Sequence, residues 1–337
     1  MPVRRTCCPE DSSCWWGLQM DKRRVVFTML LLFSCLCFFI LSLQLNFMKV
    51  CFFCLNSSGM LMFNFGGDNG TFLLLPNARC EQKPPFLVIL VATRHKEVEA
   101  RTAIRRTWGK DQTIGNKRIA VFFLVGTMAE QEKKAEANIA AESLIYRDII
   151  QKNFTDTYYN LTLKTVMGLE WIDHFCPQTK FVMKTDTDMF VNVFYLTELL
   201  VKKNRTTHFF TGYQKLNEFP IRSRFSKWYV SEEEYPAQLY PPFCSGTGYI
   251  LSTDVAHNVL TVSKSVPFFK LEDVFVGMCL QKLNIMPEPL YSEETFFPDK
   301  IEFSICRFRK IVTCHHIRPS ELLIYWNALN RTTEESC

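Results

Sequence analysis

The sequence predicts an α/β domain with a mainly parallel sheet, set behind one membrane anchor. Three observations carry this reading. A charge-free apolar run lies near the N-terminus, short continuous apolar runs of strand length recur after Phe86, and amphipathic runs of helical spacing separate them.

The apolar run comes first. Residues 25–48, "VVFTMLLLFSCLCFFILSLQLNFM", hold no charge, and about 20 such residues cross a hydrocarbon layer at ~1.5 Å rise each. A secretory signal has a shorter apolar region and a small-residue cleavage site, which is not evident. Arg4, Arg5, Lys22, Arg23 and Arg24 precede the run and only Lys49 follows closely. The positive-inside bias then gives a cytoplasmic tail over 1–24, a signal-anchor over 25–45, and a body across the membrane. Residues 46–84, with "GGDNG" and a closing "KPP", read as a stem, and 85–337 as the lumenal catalytic domain. Six sequons follow the anchor, at Asn56, Asn69, Asn153, Asn160, Asn204 and Asn330. Of the 14 cysteines, Cys80, Cys176, Cys244, Cys279, Cys306, Cys314 and Cys337 scatter through the body. In an oxidising compartment that scatter suggests disulfides of undetermined pairing.

The body opens with "FLVILVAT" (86–93), a branched apolar run suited to a strand buried on both faces. "EVEARTAIRRTWGK" (97–110) has helical spacing and Gly109 as its stop. "IAVFFLVG" (119–126) is a second buried strand. Residues 129–150 and 160–175 read as two successive helices, and "KFVMKTDTD" (180–188) as a third strand. Ligands in such sheets sit beyond the carboxyl ends of the strands, which places Thr93, Arg94 and the acids at 186–188 on one rim.

Composition narrows the partners. With 47% hydrophobic residues the chain can build a large core. A net charge of only +5, without a Lys/Arg block, argues against nucleic acid.

Several residues carry chemistry. Asp186 and Asp188 leave an apolar strand and fit either a hard divalent cation or a plain polar strand end. Glu272 and Asp273 open the amphipathic run "LEDVFVGMCL", where acids favour a helix N-terminus or serve as a general base. Gly246 and Gly248 in "CSGTGYILS" suit either a close backbone approach to a ligand or a tight turn before a strand. Of His315 and His316, one fits a nitrogen ligand, although a lone histidine is more often structural. Arg101, Arg105, Arg106 and Lys164 either neutralise phosphate or solvate helix faces. Phe225, Trp228 and Tyr229 form either a sugar platform or, as favoured here, a core cluster.

Together "RTAIRRTWG", "FFLVG", "YYNLTLKT", "FVMKTDTDMFVNV", "YPPFCSGTGYILS" and "KLEDVFVG" resemble, in order, glycosyltransferase family 31 over residues 86 to about 326. That family holds β-1,3-galactosyltransferases and β-1,3-N-acetylglucosaminyltransferases. The resemblance implies a GT-A fold and a single-pass type II enzyme of the Golgi membrane. It also implies Mn²⁺ and a UDP-sugar donor, UDP-galactose first, with a glycan ending in GlcNAc or GalNAc on glycoprotein or glycolipid as acceptor. UDP-GlcNAc as donor, or a non-catalytic lumenal glycan-binding protein, are the alternatives. Asp186 and Asp188 match the family's metal motif, with Asp188 the direct ligand and His315 preferred over His316. Asp273 matches the proposed base, with Glu272 its neighbour. Arg101, Arg105 and Lys164, with Asp186, fall in motifs lining the nucleotide. Relatives with three successive acids differ at Thr187.

Overall fold

The computed structural model describes residues 71–128 and 133–331. The predicted tail, the anchor at 25–45, and sequons Asn56 and Asn69 lie outside them. Among the described residues no helix is long and apolar enough to cross a membrane.

The elements are β1 (Phe72–Leu74), β2 (Leu87–Ala92), α1 (Val98–Arg105), β3 (Gln112–Ile114), β4 (Lys117–Thr127), α2 (Lys133–Tyr146) and β5 (Ile149–Thr155). A 3₁₀ turn (Tyr158–Asn160) leads into α3 (Leu161–Phe175), β6 (Phe181–Asp186), β7 (Phe190–Val191) and α4 (Val193–Lys203). Then come β8 (Phe210–Lys215), β9 (Phe243–Ser252), α5 (Thr253–Ser263), α6 (Glu272–Lys282), β10 (Phe296–Phe297), α7 (Ile305–Arg309), β11 (Thr313–Cys314) and α8 (Pro319–Arg331).

The main sheet runs β1-β5-β4-β2-β6-β9-β8, with β3 paired to β4. Strands β5, β4, β2 and β6 are mutually parallel, while β1 and β9 run antiparallel to them at the two sides and β8 pairs antiparallel with β9. Every residue of β2 is buried, as its unbroken apolar run requires of a strand covered on both faces. Two apolar cores follow, one on each face of the sheet. A small sheet, β10-β11-β7, stands apart.

Three expectations change. Residues 149–150, read as a helix end, start β5, so two successive helices become an alternating strand–helix order. Gly246 and Gly248 lie inside β9 and not in a turn before it. Residues ahead of Pro85, read as stem, belong to the folded body: β1 pairs with β5, and Cys80 is disulfide-bonded to Cys176. Cys306 is also disulfide-bonded, whereas Cys244, Cys279 and Cys314 are buried free thiols.

Candidate active site

The rim of the parallel strands gathers the predicted acids, and three pieces of backbone fix them. The β6–β9 ladder ends at Thr185 opposite Gly248. Beyond it side chains replace the ladder, with Thr185 Oγ1 donating to the Thr247 carbonyl at 2.8 Å. Downstream, β7 pairs antiparallel with β11, Phe190 opposite Cys314. The chain on either side of that pair therefore brings Asp188 against the two histidines. The Ile317 amide donates to the Asp188 carbonyl at 2.9 Å, and the buried Trp108 indole donates to the Met189 carbonyl at 3.1 Å.

At the first end, Asp188, His315 and His316 place one potential ligand atom each within 4.8 Å of one another. Asp188 Oδ2 lies 3.2 Å from His315 Nε2 and 4.0 Å from His316 Nδ1. His315 Nδ1 donates to the Pro298 carbonyl at 2.8 Å, which leaves Nε2 facing the carboxylate. Burial opposes the charged forms, but the contact outweighs it, holding the Asp188 carboxyl below and the His315 imidazolium above their ordinary values. A mixed oxygen and nitrogen donor set suits a divalent transition metal. His316, the less favoured histidine, stands in this cluster too, in the left-handed region at φ 58°.

Asp186 does something different. Its Oδ1 accepts from Lys184 Nζ at 2.9 Å. Lys184, 2% exposed, also donates to the Gly246 carbonyl at 2.6 Å and lies 3.4 Å from Glu272 Oε2. Burial would lower its pKa, yet the Asp186 and Glu272 carboxylates raise it above the usual lysine value. Sequence reasoning did not single out Lys184. The signal was there: a lysine within a run otherwise buried on both faces needs partners.

At the second end, α6 presents Glu272 and Asp273 in its first turn. Glu272 is buried, and Tyr249 donates its hydroxyl to Oε1 at 2.5 Å. Asp273 accepts from the Gly246 amide at 3.1 Å and from the Val274 amide at 2.9 Å. Gly246 is thus held at both poles, its carbonyl by Lys184 and its amide by Asp273. A Cβ there would stand 3.4 Å from carboxylate oxygens of both acids, so glycine lets the strand approach them. Burial raises both acids above the ordinary carboxylate range.

Three of the predicted nucleotide-site cations hold protein partners in this structure. All five N–H donors of the fully buried Arg101 are taken by Glu142, Thr93 Oγ1 and the carbonyls of Arg94 and His95. Arg105 pairs with Asp148 and Glu142 and lies over the Phe123 and Tyr146 rings. Lys164 donates to the Thr93 carbonyl at 2.5 Å and to Asp156 at 2.7 Å, and burial holds it below the usual lysine value. Arg101 and Lys164 brace the loop after β2, and Arg105 anchors α1 against Asp148. Thr187, between the two acids, donates to Glu97 Oε2 at 3.1 Å. Trp228 and Phe225, favoured as core, are exposed.

A galactosyltransferase family model matches residues 99–291, more than half of the chain. The chain belongs to the galactosyltransferase family. The match spans Asp186, Asp188, Glu272 and Asp273, and the two histidines lie beyond it. The β-1,3-galactosyltransferase 5 of Homo sapiens is 54% identical over 95% of this chain and 99% of its own length. The Mus musculus β-1,3-galactosyltransferase 5 is 53% identical over 94% and 98%. The Mus musculus β-1,3-galactosyltransferase 2 is 42% identical over 77% of this chain and 62% of its own. Among solved structures, the galactosyltransferase LgtC is 11% identical with a TM-score of 0.38 over 74% of this chain and 98% of that one, too weak a likeness to bear on mechanism. As a galactosyltransferase family member the chain is a glycosyltransferase, and its site is to be judged as one.

Proposed function

We propose that this chain transfers galactose from UDP-galactose to the 3-hydroxyl of a terminal GlcNAc, or GalNAc, on a glycan, with inversion at the anomeric carbon. One observation carries the reading. A metal-competent cluster follows directly on β6, and Lys184 with the Gly246 peptide joins Asp186, at the end of that strand, to the buried acid pair opening α6.

Asp188, His315 and His316 would hold Mn²⁺, and Asp186 faces the same rim. When bound, the cation supplies positive charge against the diphosphate of the donor. The remaining chemistry belongs to the protein. Asp273 accepts the proton of the acceptor 3-hydroxyl, whose oxygen pair forms the new bond to the anomeric carbon. The bond from that carbon to the diphosphate oxygen breaks, and its electron pair leaves with UDP. Attack from the face opposite the leaving group turns the α linkage into β in one displacement. Lys184 neutralises the acids that converge around it, so that they stand close together while ionised. The likeness in name of the relatives supports galactose as the sugar moved.

We further propose a GT-A fold and residues 25–45 as the anchor in the Golgi membrane, with the body in the lumen. The Cys80–Cys176 disulfide fits an oxidising compartment. Residues 66–337, incubated with Mn²⁺, UDP-galactose or UDP-GlcNAc, and glycans ending in GlcNAc or Gal, test the proposal. Linkage analysis should find β-1,3-galactose on GlcNAc. Transfer of GlcNAc alone would reassign the donor, and binding of glycan without turnover would make this a lectin-like protein.

A further inference from the structure

The 27-residue connection between β8 and β9, residues 216–242, holds an apolar face that the fold leaves uncovered. Its inner side is packed. The Tyr235 and Tyr240 rings lie 5.6 and 6.0 Å from the Phe269 ring. Arg222 clasps the carbonyls of Val230, Ser231, Tyr235 and Ala237, so the loop holds a fixed shape. Its outer side is bare, with Trp228 47% exposed.

The 3₁₀ turn before α3 meets this loop. Tyr158 and Tyr159 are 49% and 51% exposed, and their rings sit edge to face at 5.7 Å. Lys270 Nζ lies 5.7 Å from the Tyr159 ring and 5.6 Å from the Tyr229 ring, so one cation joins the turn to the loop. Lys270 stands three residues before Asp273. Thr162 Oγ1, donating to the Phe269 carbonyl at 2.7 Å, fixes the start of α3 against the same segment. Burial raises the Tyr158 hydroxyl above its usual value, and the Asp273 and Asp186 carboxylates push it the same way, which sets this tyrosine beside the acids.

Single exposed aromatics need no explanation. Half-exposed rings from two separate elements, joined through a lysine three residues before the proposed base, do. The base must touch the hydroxyl that attacks, so the ring carrying that hydroxyl lies on the Asp273 side. A hexosamine offers there an apolar face of ring C–H groups and a polar rim, matching aromatic side chains with an apolar body and a polar tip.

We propose that Trp228 and Tyr158 form the acceptor platform, on which the terminal N-acetylhexosamine packs with its 3-hydroxyl toward Asp273. This rests on the transfer reaction proposed above and names the part of the protein that selects its acceptor. Neither residue takes the proton or meets the metal cluster, so their loss weakens acceptor binding and spares the donor.

The test uses the full-length chain in detergent, as wild type, Trp228→Ala, Trp228→Phe and Tyr158→Ala. Three measurements are made: binding of methyl β-N-acetylglucosaminide by saturation-transfer NMR with UDP and Mn²⁺ present, UDP affinity, and steady-state kinetics. Trp228→Ala should raise the acceptor KM at least tenfold, leave UDP affinity and acceptor-free UDP-galactose hydrolysis within about twofold, and erase the glycoside signal. Trp228→Phe, which keeps a flat apolar face, should restore most of the binding. An unchanged acceptor KM, a lowered kcat with unchanged KM, or a loss of UDP affinity would each overturn the platform. A thermal melt identifies any variant that fails to fold, and then Trp228→Phe and Tyr158→Ala decide. If wild type binds the glycoside through Trp228 but neither hydrolyses UDP-galactose nor transfers galactose, the platform stands and the reaction falls.

Discussion

Burial raises the Asp273 carboxyl above its usual value, against the pull of the Gly246 amide, the Lys184 ammonium and the Val274 amide. A base works only when ionised, so turnover is lost as pH falls through its own pKa. The acid limb of kcat/KM should therefore lie above the ~3.9 of a free aspartate. Asp273→Asn should lower kcat by about 100- to 10,000-fold, the usual span for acid–base help, with UDP binding by calorimetry preserved. Lys184→Met removes a positive charge that favours the ionised base, so the acid limb should move further up in pH. It should also lower the melting temperature, since breaking a buried pair costs at most about 3–5 kcal/mol and Glu272 can take up a proton instead. Asp188→Ala should weaken Mn²⁺ binding, read by electron paramagnetic resonance, by more than about 100-fold, the upper figure for losing a mere outer partner. The acids were legible because they interrupt an apolar run. Lys184 was not, because its three partners come from β6 itself, from β9 and from α6, and only tertiary packing unites them.

Helix α6 carries the proposed base at its start and packs on β9 through a glycine. A Cβ on Gly277 would meet Phe243 Cβ at 2.7 Å and the Pro242 carbonyl oxygen at 3.2 Å. Gly277→Ala should cost about 1–3 kcal/mol by overpacking, read as a lowered melting temperature. Because Asp273 rides on the same helix, kcat should fall with it, while UDP affinity holds. The sequence showed this helix through its opening acids and its apolar run, and the buried strands through their unbroken apolar residues. It hid the boundary between α2 and β5. That helix ends at Tyr146, and the next residue, Arg147, takes the left-handed conformation at φ 54°, a place usually marked by glycine or asparagine. With no such mark, "IYRDII" reads on as helix. Strand β9 misled in the opposite way, because Gly246, which suggests a turn, is there to admit Glu272 and Asp273, while Gly248 faces Met183, Thr185 and Thr313.

At the scale of the whole molecule, the limits of the domain depend on contacts between residues far apart in the chain, and these were the least legible feature. "KPP" before Phe86 looks like the end of a stem, and nothing local distinguishes Phe72–Leu74 from linker. Pairing with β5 makes that segment an edge strand, and the Cys80–Cys176 disulfide, spanning 96 residues, ties it to the end of α3. A cross-link over such a span restricts the unfolded chain strongly, typically contributing about 2–4 kcal/mol. A secreted chain starting at Pro85 would lose both the strand and the bond and leave the otherwise buried Cys176 as a free thiol. It should melt well below residues 66–337 and aggregate at lower temperature. Cys80→Ser with Cys176→Ser in the longer chain separates the two causes. If the double variant melts as low as the Pro85 chain, the disulfide is the whole difference. If it melts between the two, the strand pairing supplies the remainder. Equal melting of all three chains would place the stable body after Pro85, as the sequence alone suggested.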